Sequence, residues 1–241
     1  MKYCGLLLLV FLSSIAIGQP LIHAHNDYQQ VEPLTNALRY KVFSIEADLY
    51  LYNNKLVVAH DRKELPAAPT LDCLYLQPIA ALFATHHGRI SSDTNYAPIL
   101  MIDIKENGEA VLAKLLSILQ VHRSVFDRRI NKQAVQIVIS GDRGPITAWS
   151  SYAPMLFFDG RPYELYDSLS LERVAFISDG YPNYKDNTKG IAQAAAAIHG
   201  KQKLFRLWGY ADTVTMWQQV LQWGVDILNT DKVAACREYY K

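Results

Sequence analysis

Cysteine is scarce in this sequence, with three residues in 241, at positions 4, 73 and 236. Cys73 and Cys236 lie in the body of the chain, and they could pair in an oxidising compartment. Two cysteines are nevertheless too few for a disulfide framework, so pairing and two free thiols both stay open. The same scarcity argues against a metal site built from thiolates.

The chain also lacks an excess of charge of either sign, because 24 basic residues face 23 acidic ones for a formal net charge of +1. A nucleic-acid-binding protein usually carries a basic face, so this balance argues against a nucleic-acid partner. No run of like charges, low-complexity tract or Pro/Ser-rich linker divides the sequence. We therefore expect one domain without internal repeats.

The long apolar run at the N-terminus is short for a membrane span. Lys2 precedes the run Gly5–Ile17, and small residues follow it up to Gly18. A spanning helix needs about 20 apolar residues, so the pattern predicts a signal peptide at residues 1–18. An uncleaved membrane anchor is the alternative. Cleavage near Gly18 would leave residues 19–241 as one exported domain, periplasmic or secreted.

Short apolar runs alternating with helical stretches fill the rest of the chain. Eight of these runs are predicted strands, and they begin at Leu21, Phe43, Pro98, Ala134, Met155, Arg173, Leu204 and Val225. A further run, Lys55–His60, follows a turn-rich connection and predicts a return strand in a hairpin. Eight β/α units in about 220 residues fit a single (β/α)₈ TIM-type barrel. An open doubly wound sheet is the alternative, but no glycine-rich phosphate-binding turn follows the first strand.

Three carboxylates stand at predicted strand ends, where a barrel of this type builds its active site. Glu46 and Asp48 are two residues apart on one strand, so they point to the same face. Two such carboxylates repel each other, and a divalent cation would neutralise them. Asp103 is the third candidate ligand, and hard oxygen ligands favour Mg²⁺ or Ca²⁺. The structural alternatives are solvated carboxylates on an edge strand and a plain Asp103–Lys105 ion pair.

His25 and His60 are the candidates for acid–base catalysis. His23 and His25 share one face of the first strand, and His60 ends the return strand. Two imidazoles beside a bound phosphate would provide one base to activate the nucleophile and one acid to protonate the leaving oxygen. The candidates for substrate binding are polar or aromatic residues near other strand ends: His23, Lys105, Arg143 and Trp208.

With these residues placed, the sequence resembles the superfamily of phosphatidylinositol-specific phospholipase C, glycerophosphodiester phosphodiesterases and sphingomyelinase D. Residues 25–28, His-Asn-Asp-Tyr, are similar to the His-Asn start of the phospholipase C catalytic half. Residues 44–49 and 56–61 resemble the shared Glu-x-Asp and His-Asp block, and residues 102–105 the later Glu/Asp-x-Lys strand. The His-Ala-His-Asn-Asp-Tyr opening is closest to a bacterial and fungal branch, and the resemblance spans about residues 21–232.

The resemblance implies a metal-dependent phosphoric diester hydrolase on a TIM barrel, acting on a small phosphodiester or a lipid head group. In the phospholipase C pattern the histidine of the His-Asn pair is catalytic and the asparagine is a metal ligand, which implies these roles for His25 and Asn26. The metal set is then Asn26, Glu46, Asp48 and Asp103. The arginine that follows the first catalytic histidine in glycerophosphodiesterases is Asn26 here, which favours the phospholipase-like metal shell.

Other classes of protein remain open. An amidohydrolase-type metal hydrolase also begins with His-x-His on the first barrel strand, and Asp231 near the last strand would suit it. No histidine stands at a strand end between Asp103 and Asp231, so that ligand set is incomplete. A non-catalytic exported barrel that binds phosphorylated ligands is the second alternative. A glycosidase is disfavoured, because Glu46 and Asp48 on one strand cannot easily flank a sugar bond from opposite faces.

Overall fold

Eight parallel strands close into a barrel in the computed structural model, which describes residues 19–241. The barrel closes because the first strand pairs with both the second and the last. The barrel strands are β1 (Leu21–Ala24), β2 (Ser44–Tyr52), β4 (Ile99–Ile104), β5 (Gln136–Gly141), β6 (Leu156–Gly160), β7 (Val174–Gly180), β8 (Phe205–Trp208) and β9 (Ile227–Thr230). The remaining strand, β3 (Lys55–Val58), pairs antiparallel with β2 outside the barrel.

The predicted (β/α)₈ barrel is thereby confirmed, and each barrel strand begins within two residues of its expected start. The predicted return strand is β3. The signal peptide expected at residues 1–18 lies outside the described residues. Within residues 19–241, no helix combines the length and the apolar character needed to cross a membrane. Cys73 is exposed and Cys236 is buried, and both are free thiols.

Helices cover the outer face of the barrel and bury the outward-facing apolar side chains of the strands. They are α1 (Thr35–Arg39), α2 (Gln77–Thr85), α3 (Gly108–Leu119), α4 (Arg123–Phe126), α5 (Ser168–Glu172), α6 (Lys189–Gly200), α7 (Val214–Gln222) and α8 (Val233–Tyr239). Between β5 and β6 the layer thins to 3₁₀ turns at Ile146–Ser151, where Trp149 stacks on Phe158 at 4.3 Å between ring centroids. Trp149 is fully buried in this part of the outer layer.

The barrel interior has an apolar lower part and a polar upper part. The apolar part is a cluster of five inward-facing side chains from four strands: Ile99, Met101, Val138, Phe176 and Ile227. Further along the same strands, towards their carboxyl ends, the inward positions carry polar residues. Side chains alternate between the two faces of a strand, so successive inward positions are two residues apart. A strand can therefore carry an apolar inward residue at one such position and a polar one at the next. The apolar cluster forms the rigid base on which the polar groups stand.

Replacing Phe176 by alanine should destabilise the fold by about 3–5 kcal/mol, because the ring is fully buried in the barrel interior and its loss leaves a cavity. Denaturant unfolding followed by far-UV circular dichroism measures this loss. Leu165→Ala is the control, since Leu165 is 93% exposed and its truncation should cost less than about 0.5 kcal/mol. Equal losses in the two variants would contradict the packed barrel interior.

Candidate active site

Neighbouring strands bring three carboxylates together at the carboxyl end of the barrel. Asp48 on β2 is directly opposite Asp103 on β4 in the parallel register, and Glu46 precedes Asp48 by two residues on the same face. Oxygens from Glu46, Asp48 and Asp103 all lie within 4.8 Å of one another. Glu46 and Asp48 are buried, and Asp103 is partly buried. The convergence expected from the sequence is therefore present in the structure.

Asp48 is the most heavily engaged of the three. Its Oδ2 accepts a hydrogen bond from the Tyr28 hydroxyl at 2.9 Å and lies 3.0 Å from His60 Nδ1 and 2.7 Å from Lys105 Nζ. The Lys105 ammonium also contacts Asp103, so it lies between two carboxylates. Burial raises the pKa of Asp103, and the charges of Glu46 and Asp48 raise it further, although Lys105 opposes them.

The ligand set fits a hard divalent cation. All three carboxylates offer oxygen, which Mg²⁺ and Ca²⁺ prefer. Asp48 Oδ1 is buried and has no hydrogen-bond partner within residues 19–241, which is costly for a carboxylate oxygen unless a cation binds it. One lysine leaves three clustered carboxylates short of positive charge, so a cation with two charges would complete their neutralisation.

Asn26 reaches the same place through an unusual backbone conformation. It follows β1 with φ 46° and ψ 42°, in the left-handed region, before a 3₁₀ turn at Asp27–Gln29. Asparagine tolerates this region better than most residues. Its Oδ1 lies 3.3 Å from the oxygen of the Tyr28 hydroxyl, which donates to Asp48 in the carboxylate cluster. Asn26 also lines the cavity.

The two candidate catalytic histidines are each held by a carboxylate through Nδ1. His25 Nδ1 lies 2.7 Å from Asp231 Oδ1, and His60 Nδ1 lies 3.0 Å from Asp48 Oδ2. Neither Nε2 has a hydrogen-bond partner among the described residues. Burial lowers the pKa of His25, but the hydrogen bond with Asp231 and the charge of Glu46 outweigh it, so that pKa is raised overall.

A cavity of about 250 Å³ joins these groups. Seven of the residues predicted from the sequence line it: His25, Asn26, Glu46, His60, Asp103, Lys105 and Trp208. Trp208 forms part of the wall and is partly exposed. Its ring packs over Gly180, where an added Cβ would lie 3.1 Å from the ring, so the glycine leaves room for it.

Two predicted substrate-binding residues, His23 and Arg143, do not reach the cavity. His23 is fully buried, with Nδ1 3.0 Å from Ser44 Oγ and Nε2 2.7 Å from Glu46 Oε2. Burial and then the charge of Arg206 lower the pKa of His23. His23 therefore supports Glu46 from below. Its neighbour on the strand face, His25, lies higher and meets the cavity.

Arg143 follows Gly141, the last residue of β5, which adopts φ 69°. Its guanidinium binds Glu164 at 2.7 Å and donates to the carbonyl of Asp159. Both partners belong to β6 and the loop that follows it. The prediction that Arg143 binds substrate rested on its position after a strand end, and that position did not reveal these contacts.

The structure brings three further residues to the cavity: Ser140, Arg161 and Arg206. Arg161 pairs with Asp159 at 2.8 Å and donates to Ser140 Oγ at 3.3 Å. Arg206 precedes Trp208 by two residues on β8, so the alternation of the strand places both on the inner face. That spacing could have identified Arg206 in the sequence. The partnership of His25 with Asp231 crosses the closure of the barrel, and no local pattern predicts it.

The barrel fold is similar to that of solved structures of glycerophosphodiester phosphodiesterases. The enzyme from Parabacteroides distasonis superposes with a TM-score of 0.59 at 18% identity, covering 92% of this chain and 97% of that one. The phosphodiesterase from Oleispira antarctica, solved with its product sn-glycerol-3-phosphate, gives 0.54 at 12% identity over 91% and 97%. These likenesses confirm the predicted (β/α)₈ TIM-type barrel.

Within that class the family is defined more closely by the sequence itself. Residues 14–148 match the AIM6-like phosphodiesterase domain, and the chain belongs to this family. The matched range includes all the candidate metal ligands and both candidate catalytic histidines. An Altered inheritance of mitochondria protein 6 homolog from Arthroderma benhamiae is 26% identical over 91% of this chain and 83% of its own length. The Eremothecium gossypii protein of that name is 24% identical over 90% and 69%.

Proposed function

We propose that this protein is a metal-dependent phosphoric diester hydrolase and that it works outside the cytoplasm after removal of residues 1–18. One observation carries the proposal: oxygens of three carboxylates lie within 4.8 Å of one another, and two of these carboxylates, Glu46 and Asp103, line a cavity with two imidazoles that are each held at Nδ1 by a carboxylate. Membership of a phosphodiesterase-domain family supports the reaction class.

Glu46, Asp48, Asp103 and Asn26 would hold one Mg²⁺ or Ca²⁺. The cation would supply positive charge for the negative charge that develops on a phosphoryl oxygen. Lys105, which contacts both Asp48 and Asp103, limits the repulsion within the carboxylate cluster and carries an ammonium into the cavity. We assign it the further role of a point charge for the substrate's phosphate.

His25 and His60 divide the proton transfers. Because Nδ1 of each ring is held by a carboxylate, Nε2 is the atom available to the substrate, and the ring keeps one orientation. One histidine takes the proton of the attacking hydroxyl, which belongs to water or to a neighbouring group of the substrate. The other gives a proton to the leaving oxygen. Asp231 and Asp48 fix the two rings for these roles.

The substrate is proposed to be a small phosphodiester or the head group of a lipid. A cavity of about 250 Å³ admits a phosphoryl group with a compact polar substituent. Trp208 on its wall offers an apolar surface for the carbon skeleton of that substituent. The binding of sn-glycerol-3-phosphate by the Oleispira antarctica neighbour supports the same size class.

A panel of phosphodiesters tests this function, with Mg²⁺, Ca²⁺ or a chelator added to the protein. We expect hydrolysis of bis(p-nitrophenyl) phosphate or a glycerophosphodiester with metal, its loss with the chelator, and recovery when metal is returned. The matched phosphomonoester, p-nitrophenyl phosphate, is the control and should not be hydrolysed. Undiminished turnover in the chelator would contradict the metal assignment. Absence of turnover with every diester and metal would favour a binding barrel.

A further inference from the structure

Arg206 is a buried cation without an anionic partner. Its side chain projects from β8 into the barrel interior, and the residue is only 5% exposed. Among residues 19–241 no carboxylate oxygen lies within 4.0 Å of its guanidinium, and its Nε has no hydrogen-bond partner. An unpaired buried charge is strongly unfavourable, so proteins retain one mainly where a ligand pairs with it.

The contacts that Arg206 does make supply no negative charge. Nη1 lies 3.0 Å from His23 Nε2 and 3.1 Å from Met101 Sδ. The nearby Asp159 is already paired with Arg161 at 2.8 Å. Arg206 also lines the cavity, together with His25, His60, Glu46 and Asp103. It is therefore a positive group that faces the place where the substrate is proposed to bind.

The other cations of the cavity are engaged within the protein. Lys105 contacts two carboxylates, and Arg161 pairs with Asp159. Asn26, which follows His25, contributes an uncharged side chain. Among the described residues, Arg206 is thus the arginine or lysine of the cavity that has no carboxylate partner and can pair with an anionic ligand.

We propose that Arg206 binds an anionic oxygen of the substrate's phosphate and so acts as the principal phosphate-recognition residue of the cavity. This inference rests on the proposed function for the location of the substrate. A guanidinium presents several N–H donors in a plane, and that geometry matches two oxygens of one phosphate. Loss of such a charged hydrogen-bonding group should weaken phosphate binding by about 10- to 100-fold.

Calorimetric titration of the full chain with inorganic phosphate tests the proposal at a fixed concentration of Mg²⁺ or Ca²⁺. Arg206→Met, which keeps an unbranched apolar stem, should weaken phosphate binding by the stated factor, and Arg206→Lys by less. The control is Arg62→Met, since Arg62 is exposed, pairs with Glu106 at 3.1 Å and does not line the cavity. Arg62→Met should bind phosphate as the wild type does.

A titration with the metal alone separates recognition from a structural role. If Arg206 binds phosphate, Arg206→Met keeps its affinity for the metal while phosphate affinity falls. An equal loss of both affinities would overturn the proposal, because Arg206 would then act on Glu46 through His23. Wild-type phosphate binding by Arg206→Met would also overturn it. If the Met variant does not fold, Arg206→Lys decides, and a phosphate affinity equal to that of the wild type defeats the inference.

These outcomes are distinguishable from failure of the proposed function, because phosphate binding requires no turnover. A chain that binds phosphate through Arg206 but hydrolyses no phosphodiester defeats the proposed function and supports this inference. A chain that hydrolyses phosphodiesters and binds phosphate independently of Arg206 does the reverse.

Discussion

Replacing His25 or His60 by alanine should lower kcat for a phosphodiester by about 10²- to 10⁴-fold in each case, which is the usual worth of a positioned general acid or base. The physical reason is that each ring is held at Nδ1 and has an Nε2 without a partner among the described residues, so each variant removes one proton-transfer group. Metal binding should persist, because neither ring belongs to the carboxylate cluster. Steady-state kinetics and a calorimetric metal titration measure the two effects.

The matched control for both variants is His199→Ala. His199 also pairs with a carboxylate, at 2.8 Å from Asp226 Oδ2, but it lies on α6 and does not line the cavity. Its loss should leave kcat unchanged. The double variant of His25 and His60 should have a kcat only slightly below that of the less active single variant, since the two groups act as one unit. Retention of activity in both single variants would show that the acid–base assignment is wrong.

Much of the fold could be predicted because the strands of a parallel barrel are buried on both faces. Their apolar runs, such as Ile99–Ile104, stand out from the amphipathic helices that follow them. The carboxylate cluster could also be predicted from local sequence. Glu46 and Asp48 share a face of one strand, and Asp103 is opposite Asp48 on the next barrel strand, so strand geometry alone brings them together.

The remaining features of the site depend on contacts between distant parts of the chain. His25 and Asp231 are 206 residues apart and meet only because β1 pairs with β9. Arg143 and Arg161 both stand near strand ends in the sequence, but Arg143 binds Glu164 and only Arg161 lines the cavity. Such a choice is made by tertiary packing, and residue type and spacing do not encode it.

The position of His23 along the barrel axis is another feature that the sequence pattern did not predict. His23 and His25 share a strand face, as the alternation predicts, yet they lie at different heights along the barrel axis. His23 is level with Ser44 in the register between β1 and β2, so its ring falls beneath Glu46. The stagger of strands that closes a barrel determines this height, and it is set by all eight strands together.

Replacing Asp48 by asparagine should remove most of the stabilisation that the protein gains from Mg²⁺ or Ca²⁺ and lower turnover by more than about 100-fold. Loss of a group that only supports a metal ligand costs 10- to 100-fold, so loss of the ligand itself should exceed that range. Wild-type protein in metal at 100 times its Kd should gain about 2.7 kcal/mol. Thermal unfolding with metal and with chelator measures this gain for each protein.

In the chelator, Asp48→Asn should unfold close to the wild type. Asparagine keeps the volume of the side chain, and its carbonyl oxygen can still accept from the Tyr28 hydroxyl. Lys105 retains Asp103 as its partner, while one of three mutually repelling carboxylates is gone. Unfolding of this variant in the chelator therefore measures how carboxylate repulsion affects stability, and unfolding in metal measures the stabilisation by the cation.

Asp93→Asn is the matched control, because Asp93 also pairs with a lysine, Lys41 at 2.6 Å, but lies outside the carboxylate cluster and the cavity. It should respond to metal as the wild type does. A metal-induced shift of the wild-type size in Asp48→Asn would place the cation elsewhere. The buried Oδ1 of Asp48, which lacks a hydrogen-bond partner within the described residues, would then need a different explanation. If the shift is lost only in Asp48→Asn, that oxygen belongs to the metal site, and its burial without a partner is the consequence of binding a cation.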